Sequence, residues 1–124
     1  MGKKILVIDD EELIIKSLKK LLEMNGFEVF VVKNGQDAVV MTDEEVFDLI
    51  IADIRMPGMN GVETISSIRY GTDVDHAKKV PTIFITGYAD EDMKKKAMAL
   101  KPVDYIYKPF DIKELVDKVK GVLK

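Results

Sequence analysis

Two neighbouring aspartates, Asp9 and Asp10, follow the apolar run Ile5-Leu6-Val7-Ile8, and a third, Asp53, follows Leu49-Ile50-Ile51-Ala52. Thr86 stands after Ile83-Phe84-Ile85, and Lys108 after Tyr105-Ile106-Tyr107. If these runs are strands of one sheet, three carboxylates, a hydroxyl and an ammonium meet on one rim. Like charges about 4 Å apart repel by roughly 4 kcal/mol at an effective dielectric near 20, so something positive must sit among the acids. Lys108 offsets one charge, and hard oxygen ligands with open positions suit Mg²⁺, with Mn²⁺ as a substitute. An aspartate beside a divalent ion, opposite an ammonium and a hydroxyl, is matched to phosphoryl transfer. Asp53 would attack phosphorus while metal, Lys108 and Thr86 neutralise the equatorial oxygens. Each residue also has a plainer reading. Asp9 and Asp10 serve equally as helix N-caps, Asp53 ahead of Met56-Pro57-Gly58 as a turn former, Thr86-Gly87 as a turn, and Lys108 before Pro109 as a solvated side chain. Their joint position after four separate apolar runs is what favours chemistry.

The elements that must position them are legible in the pattern. Val29-Phe30-Val31-Val32 joins the four runs above, and all five are short, β-branched or aromatic, and bounded by acids, Gly, Pro or Asn. The first and third are apolar at nearly every position, as strands covered on both faces are. Between them lie helical periods: Ile14, Leu18, Leu21 and Leu22 share one face, as do Ile112, Leu115, Val116, Val119, Val122 and Leu123. Asp9 and Glu12 have capping-box spacing, Asp111 precedes the last helix as an N-cap, and Gly26 closes the first. Segments 35–42, 61–70 and 90–100 are weaker helical patterns placed where a parallel sheet needs crossovers. The expectation is a single domain over residues 1–124, an α/β doubly wound (βα)5 sandwich with a five-stranded parallel sheet and helices on both faces. Ligands of such sheets bind beyond the carboxyl ends of the strands, where the acids are.

The 124 residues carry 19 Lys and Arg against 22 Asp and Glu, a formal charge of −3 that gives no drive toward nucleic acid. The 47% hydrophobic content suffices for a core without disulfides, and the absence of cysteine excludes thiolate zinc sites and cysteine catalysis. No apolar run approaches the ~20 residues of a membrane span, and no secretory or myristoylation signal stands at the start. A cytoplasmic protein without membrane or direct nucleic-acid contact is expected. Gly71 to Pro81 is long for a connection and is expected to hold a short extra turn. Its His76 reads as a solvated loop residue and not a phosphohistidine. Met24, Met93 and Met98 are expected to fill gaps between helices and sheet, and Lys94-Lys95-Lys96 to be a solvated helix side or a contact for an acidic partner.

Taken together, Lys4 to Glu11, the run Asp48-Leu49-Ile50-Ile51-Ala52-Asp53-Ile54-Arg55-Met56-Pro57-Gly58-Met59-Asn60-Gly61, Pro81 to Gly87, and Tyr105-Ile106-Tyr107-Lys108-Pro109-Phe110 resemble the receiver domain of two-component response regulators, the CheY-like fold. The resemblance covers the whole chain. It implies a phosphorylation switch in which Asp53 accepts a phosphoryl group from a phosphohistidine of a sensor histidine kinase or phosphotransfer protein, or from a small phosphodonor. It further implies that Asp9, Asp10, Asp53 and the backbone carbonyl of Arg55 hold Mg²⁺, that Lys108 and Thr86 contact phosphoryl oxygens, and that the Lys108-Pro109 peptide is cis. Thr86 and Tyr105 would couple the site to the face of the fourth helix, fifth strand and fifth helix, which would signal to a downstream protein. Such a domain is no enzyme beyond catalysing its own phosphorylation and dephosphorylation, and acts as a monomer or a phosphorylation-dependent dimer.

Arg55 and Tyr88, two residues beyond Asp53 and Thr86, are not fixed by the resemblance. Neither activates water as a carboxylate or amide does, so they are read as kinetic tuners favouring a long-lived phospho-state, unless both point into solvent. The segment Leu100-Lys101-Pro102-Val103-Asp104 departs from the family pattern, with Lys and Pro in place of Gly and a small residue, which puts the fourth helix's C-cap in question. Three other readings share the architecture or chemistry. A flavodoxin-like carrier would have a Ser/Thr/Gly-rich loop where Asp9 to Glu12 stand, and a haloacid-dehalogenase-type phosphatase needs Asp-x-Asp and a cap. The third is a receiver-like binding module that is not phosphorylated, against which every chemical position is filled. Because the last helix ends near Lys124, the chain is expected to be either a single-domain regulator or the receiver portion of a longer one.

Overall fold

The computed structural model of the chain describes residues 2–70 and 80–124. The expected extra turn in the segment before Pro81 and the solvated His76 fall within residues 71–79, outside the described residues. The elements run β1 (Lys4–Ile8), α1 (Glu12–Met24), β2 (Glu28–Val32), α2 (Gly35–Glu44), β3 (Leu49–Asp53), α3 (Gly61–Tyr70), β4 (Thr82–Thr86), α4 (Glu91–Ala99), β5 (Asp104–Tyr107) and α5 (Ile112–Val122). All strand pairs are parallel, in the order β2-β1-β3-β4-β5. Strand order reverses between β1 and β3, and the crevice above that reversal is where a sheet of this kind receives a ligand.

Why the central strands are apolar throughout follows from the two cores. Leu6, Ile8, Ile50, Ala52 and Phe84 point to the side covered by α2, α3 and α4. Ile5, Val7, Leu49, Ile51, Ile83 and Ile85 point to the side covered by α1 and α5. Alternate residues of one strand thus serve opposite cores, and a polar residue at either parity would be desolvated. The outer strand β5 is less enclosed, with Tyr107 exposed and Tyr105 partly buried.

Helix α1 corrects two expectations. Asp9 and Glu12 form no capping box: α1 starts from Glu11, whose side chain makes no capping bond, while the Glu11 amide donates to Asp9 Oδ1 at 3.0 Å. Glu12 instead meets Lys33. The buried stripe of α1 is Ile15, Leu18 and Leu22, with Ile14 only half-buried. Asp111 does cap α5, accepting from the amides of Lys113 (2.9 Å) and Glu114 (3.4 Å), and Asp90 caps α4, accepting from Met93 at 3.0 Å. After α1, Gly26 takes φ +88°, a left-handed conformation that suits glycine. After α4 the same handedness falls on Lys101, with φ +54° and its amide donating to Met98 O at 3.0 Å. The departure from the family pattern therefore leaves a closed helix end on a strained residue. Met93 packs against the core, but Met24 and Met98 are exposed and fill no gap. Among the described residues no helix is long and apolar enough to cross a membrane.

Candidate functional site

Four strand ends deliver the site. Asp9 follows β1 directly, Asp53 is the last residue of β3, Thr86 is the last of β4, and Lys108 follows β5. The register fixes their relative height, since Ile8 pairs with Ala52, Asp53 with Ile85, and Thr86 with Tyr107. Asp53 lies against the start of α3: Gly61 donates its amide to Ile54 O at 2.9 Å, and a Cβ at Gly61 would come within 2.3 Å of Asp53 O. Only a residue without a side chain lets α3 begin this close to the Asp53 backbone.

Asp9 and Asp53 are both buried, and Lys108 reaches between them. Its Nζ is 3.1 Å from Asp53 Oδ2 and 3.7 Å from Asp9 Oδ2, and it also contacts the Glu11 carboxylate. Asp53 Oδ1 accepts from the Arg55 amide at 3.3 Å. The Lys108-Pro109 peptide is cis, as the resemblance implies. Asp9, Asp10 and Asp53 each offer a carboxylate oxygen, the three lying within 4.8 Å of one another. Asp9 and Asp53 are thus two buried carboxyl groups that share one ammonium.

The electrostatics follow from that deficit. Burial, then the charge of Asp9, pushes the Asp53 carboxyl up to about 6 despite the opposing pull of Lys108. Burial also raises Asp9, against the Glu11 amide and Lys108, which favour its charged form. Desolvation works against the Lys108 ammonium, but Glu11, Asp9 and Asp53 outweigh it and hold Lys108 above the ordinary lysine range. Asp9 Oδ2 is buried without a hydrogen-bond partner among the described residues. An unpaired buried carboxylate oxygen costs free energy unless a cation joins it, and the neighbouring oxygens of Asp10 and Asp53 suit a hard divalent ion. The residues present therefore fit Mg²⁺.

Above these groups opens a cleft of about 600 Å³ whose lining includes Glu11, Asp53, Lys108, Arg55 and Tyr88. The Arg55 guanidinium stacks over the Tyr88 ring, 4.0 Å from its centroid. The two side chains thus stack on each other beside the cleft while both remain exposed to solvent. Thr86 is buried at the end of β4, its hydroxyl oxygen accepting from the Tyr88 amide at 3.2 Å. Tyr105 lies outside the cleft, packed against the α2–α3–α4 core and 5.4 Å from the Tyr107 ring. The structure brings Asp9, Asp10, Asp53 and Lys108 together, with Arg55, Tyr88 and Thr86 around them.

Glu11 is the residue that sequence reasoning passed over. It ends the motif as the third of four consecutive acids, and its reach to Lys108 crosses 97 positions, a pairing that local spacing does not reveal.

Residues 5–120 match the response regulator receiver domain family. The transcriptional regulatory protein CrdR of Helicobacter pylori is 38% identical over 120 residues, covering 97% of this chain and 54% of its own length. The chain spans about half the length of the curated relatives it matches. Among solved structures, the chemotaxis protein CheY4 of Vibrio cholerae superposes with a TM-score of 0.87 at 27% identity, covering 99% of this chain and 100% of its own. The receiver domain of the sensor histidine kinase PA1611 of Pseudomonas aeruginosa, solved with a magnesium ion coordinated in its active site cleft, gives 0.85 at 25% identity, covering 99% and 98%. A family match over nearly the full length, a doubly wound fold shared with CheY4, and acids gathered at the strand ends converge: this chain belongs to the response regulator receiver domain family.

Proposed function

We propose that the chain works as a phosphorylation switch with Asp53 as the phosphoacceptor. The observation that carries this reading is the buried Asp53 carboxylate held 3.1 Å from Lys108 at the edge of an open cleft, beside an Asp9 oxygen that has no hydrogen-bond partner among the described residues. A carboxylate paired only for structure would have no need of a second buried acid or of a cleft.

In the reaction an Asp53 carboxylate oxygen attacks phosphorus, and the bond from phosphorus to the donor's leaving atom breaks. With acetyl phosphate the leaving group is acetate. With the phosphohistidine of a sensor kinase or phosphotransfer protein it is imidazole, which keeps the P–N bonding pair. The chain would thus catalyse only its own phosphorylation and dephosphorylation. Asp9, Asp10, Asp53 and the backbone carbonyl of Arg55 would hold Mg²⁺, which supplies neutralisation of phosphoryl oxygens. The magnesium ion coordinated in the PA1611 receiver's active site cleft supports a metal at this cleft. Lys108 exchanges a carboxylate oxygen for a phosphoryl oxygen, and Thr86 leaves the Tyr88 amide to donate its hydroxyl to another.

Movement of Thr86 makes room for Tyr105 to turn inward, and the α4–β5–α5 face changes for a downstream protein. The phosphoryl group shifts this equilibrium only through its different contacts in the two states. Arg55 and Tyr88, stacked beside the cleft, restrict the attacking water and lengthen the phospho-state.

The test is intact mass after incubation with acetyl phosphate and Mg²⁺. The parent gains one phosphate, Asp53→Asn gains none, and a chelator abolishes the gain. A phosphate taken up equally by Asp53→Asn would end the reading.

A further inference from the structure

Glu11 occupies the N-cap position of α1, and its side chain makes no bond to the helix's first amides. The carboxylate is spent elsewhere, on the ammonium of Lys108, across the mouth of the cleft. Lys108 has three N–H donors, and in this state Glu11 and Asp53 take two of them while Asp9 lies 3.7 Å away. Glu11 differs from the other two acids in its surroundings. Asp9 and Asp53 are buried, whereas about half of the Glu11 side chain faces solvent, so it can leave without uncovering a charge.

We propose, resting on the phosphoacceptor reading of Asp53, that Glu11 is a positioning residue that acts as a stand-in anion. It holds the Lys108 ammonium at the cleft mouth in the resting state and is displaced when phosphoryl oxygens arrive. Two consequences follow from charge. While in place, the carboxylate competes with the incoming phosphate for Lys108, and it repels a dianionic donor entering the same cleft. Both raise the donor concentration needed without changing the transferred state, in which Glu11 has already withdrawn.

The neighbouring residue supplies the control. Glu12 carries the same charge one position on, but its carboxylate meets Lys33 and not Lys108. The experiment is phosphorylation by acetyl phosphate at saturating Mg²⁺, read by intact mass over a range of donor concentrations. Glu11→Gln is expected to lower the half-saturating donor concentration about three- to tenfold, the effect of one nearby charge in a partly solvated cleft, with the maximal rate unchanged. Glu12→Gln is expected to change neither. Identical donor dependence in the parent and Glu11→Gln, a slower Glu11→Gln, or an equal gain in Glu12→Gln overturns the proposal. In the metal-free protein, Lys108→Met is expected to move the carboxyl ¹³C resonance of Glu11, and an unmoved resonance overturns the contact itself. A parent that takes up no phosphate overturns the reading beneath and this one with it, whereas a parent that is phosphorylated with Glu11→Gln unchanged removes only the role of Glu11.

Discussion

The Nζ of Lys108 stands 3.1 Å from Asp53 Oδ2, bringing a cation from the loop after β5 to the last residue of β3. Three carboxylates, from Asp9, Glu11 and Asp53, converge on that ammonium, so removing any one charge redistributes the others.

Loss of the cation is the severest change. Lys108→Met leaves Asp9 and Asp53 facing each other without compensation, and the metal-free protein is expected to lose about 3 kcal/mol at pH 8. At pH 5, below the value of about 6 for Asp53, that carboxyl takes up a proton and the deficit shrinks. Urea unfolding of parent and variant at the two pH values, with chelator present, measures the difference. A deficit that is the same at both would mean that repulsion between the acids is not its cause.

Removing the acceptor's charge acts in the opposite direction. The folded-state value of Asp53 lies above its ordinary 3.8, so between about pH 4 and 6 the folded protein holds more protons than the unfolded chain. The contribution of Asp53 to metal-free stability therefore falls as pH rises through that window and stays low above it. Asp53→Asn is expected to stabilise the protein at pH 7.5 by roughly 1–3 kcal/mol and to change little at pH 3.5. Thermal unfolding with chelator checks both. Added Mg²⁺ is expected to raise the melting temperature of the parent more than that of the variant, because binding to the folded state adds stability by mass action.

The stacked Arg55–Tyr88 pair carries a kinetic expectation. In the double variant Arg55→Asn, Tyr88→Glu the 4.0 Å stack is gone, and an amide and a carboxylate able to orient water stand beside the cleft. Its phospho-form is expected to hydrolyse at least about tenfold faster than the parent's, as timed by intact mass after removal of acetyl phosphate. Equal lifetimes would reduce the pair to surface packing.

A fourth expectation concerns the helix end that departs from the family pattern. Lys101 holds φ +54°, where a side chain costs about 1–2 kcal/mol against Cβ crowding. Lys101→Gly relieves it but adds freedom to the unfolded chain, so a net gain of about 0.5–1 kcal/mol in denaturant unfolding is expected. The rate of phosphorylation should not change, since Lys101 precedes β5, at the opposite end of that strand from Lys108, and does not line the cleft.

These residues also mark what the chain's order of amino acids discloses and what it withholds. Strand positions, parallel arrangement and the rim of Asp9, Asp10, Asp53, Thr86 and Lys108 follow from apolar runs that end in polar residues, because burial on both faces imposes that pattern. The motif around Asp53 and Lys108-Pro109 identifies the family for the same local reason. Long-range side-chain choices are a different matter. Glu11 selecting Lys108 over its own helix, and Arg55 selecting Tyr88, depend on which loops the finished sheet places side by side. The Asp9–Glu12 capping box fails because Asp9 is drawn inward to the buried cluster, leaving Glu11 to start the helix. The stripe of α1 shifts from Ile14 to Ile15 because the helix's rotation is set by the sheet it covers, and a period of 3.6 leaves that rotation open.

The spread of the cleft's residues along the chain bears on how the molecule assembles. Asp9 and Asp53 can come together once β1 and β3 pair, which needs only the first half of the sequence, but their counter-charge arrives with the loop behind β5. A ribosome-bound intermediate halted before residue 108 would bring the two acids face to face with only a proton or a dissolved cation to offset them, so the final strand does more than complete the sheet: it delivers the ammonium that the earlier pairing lacks.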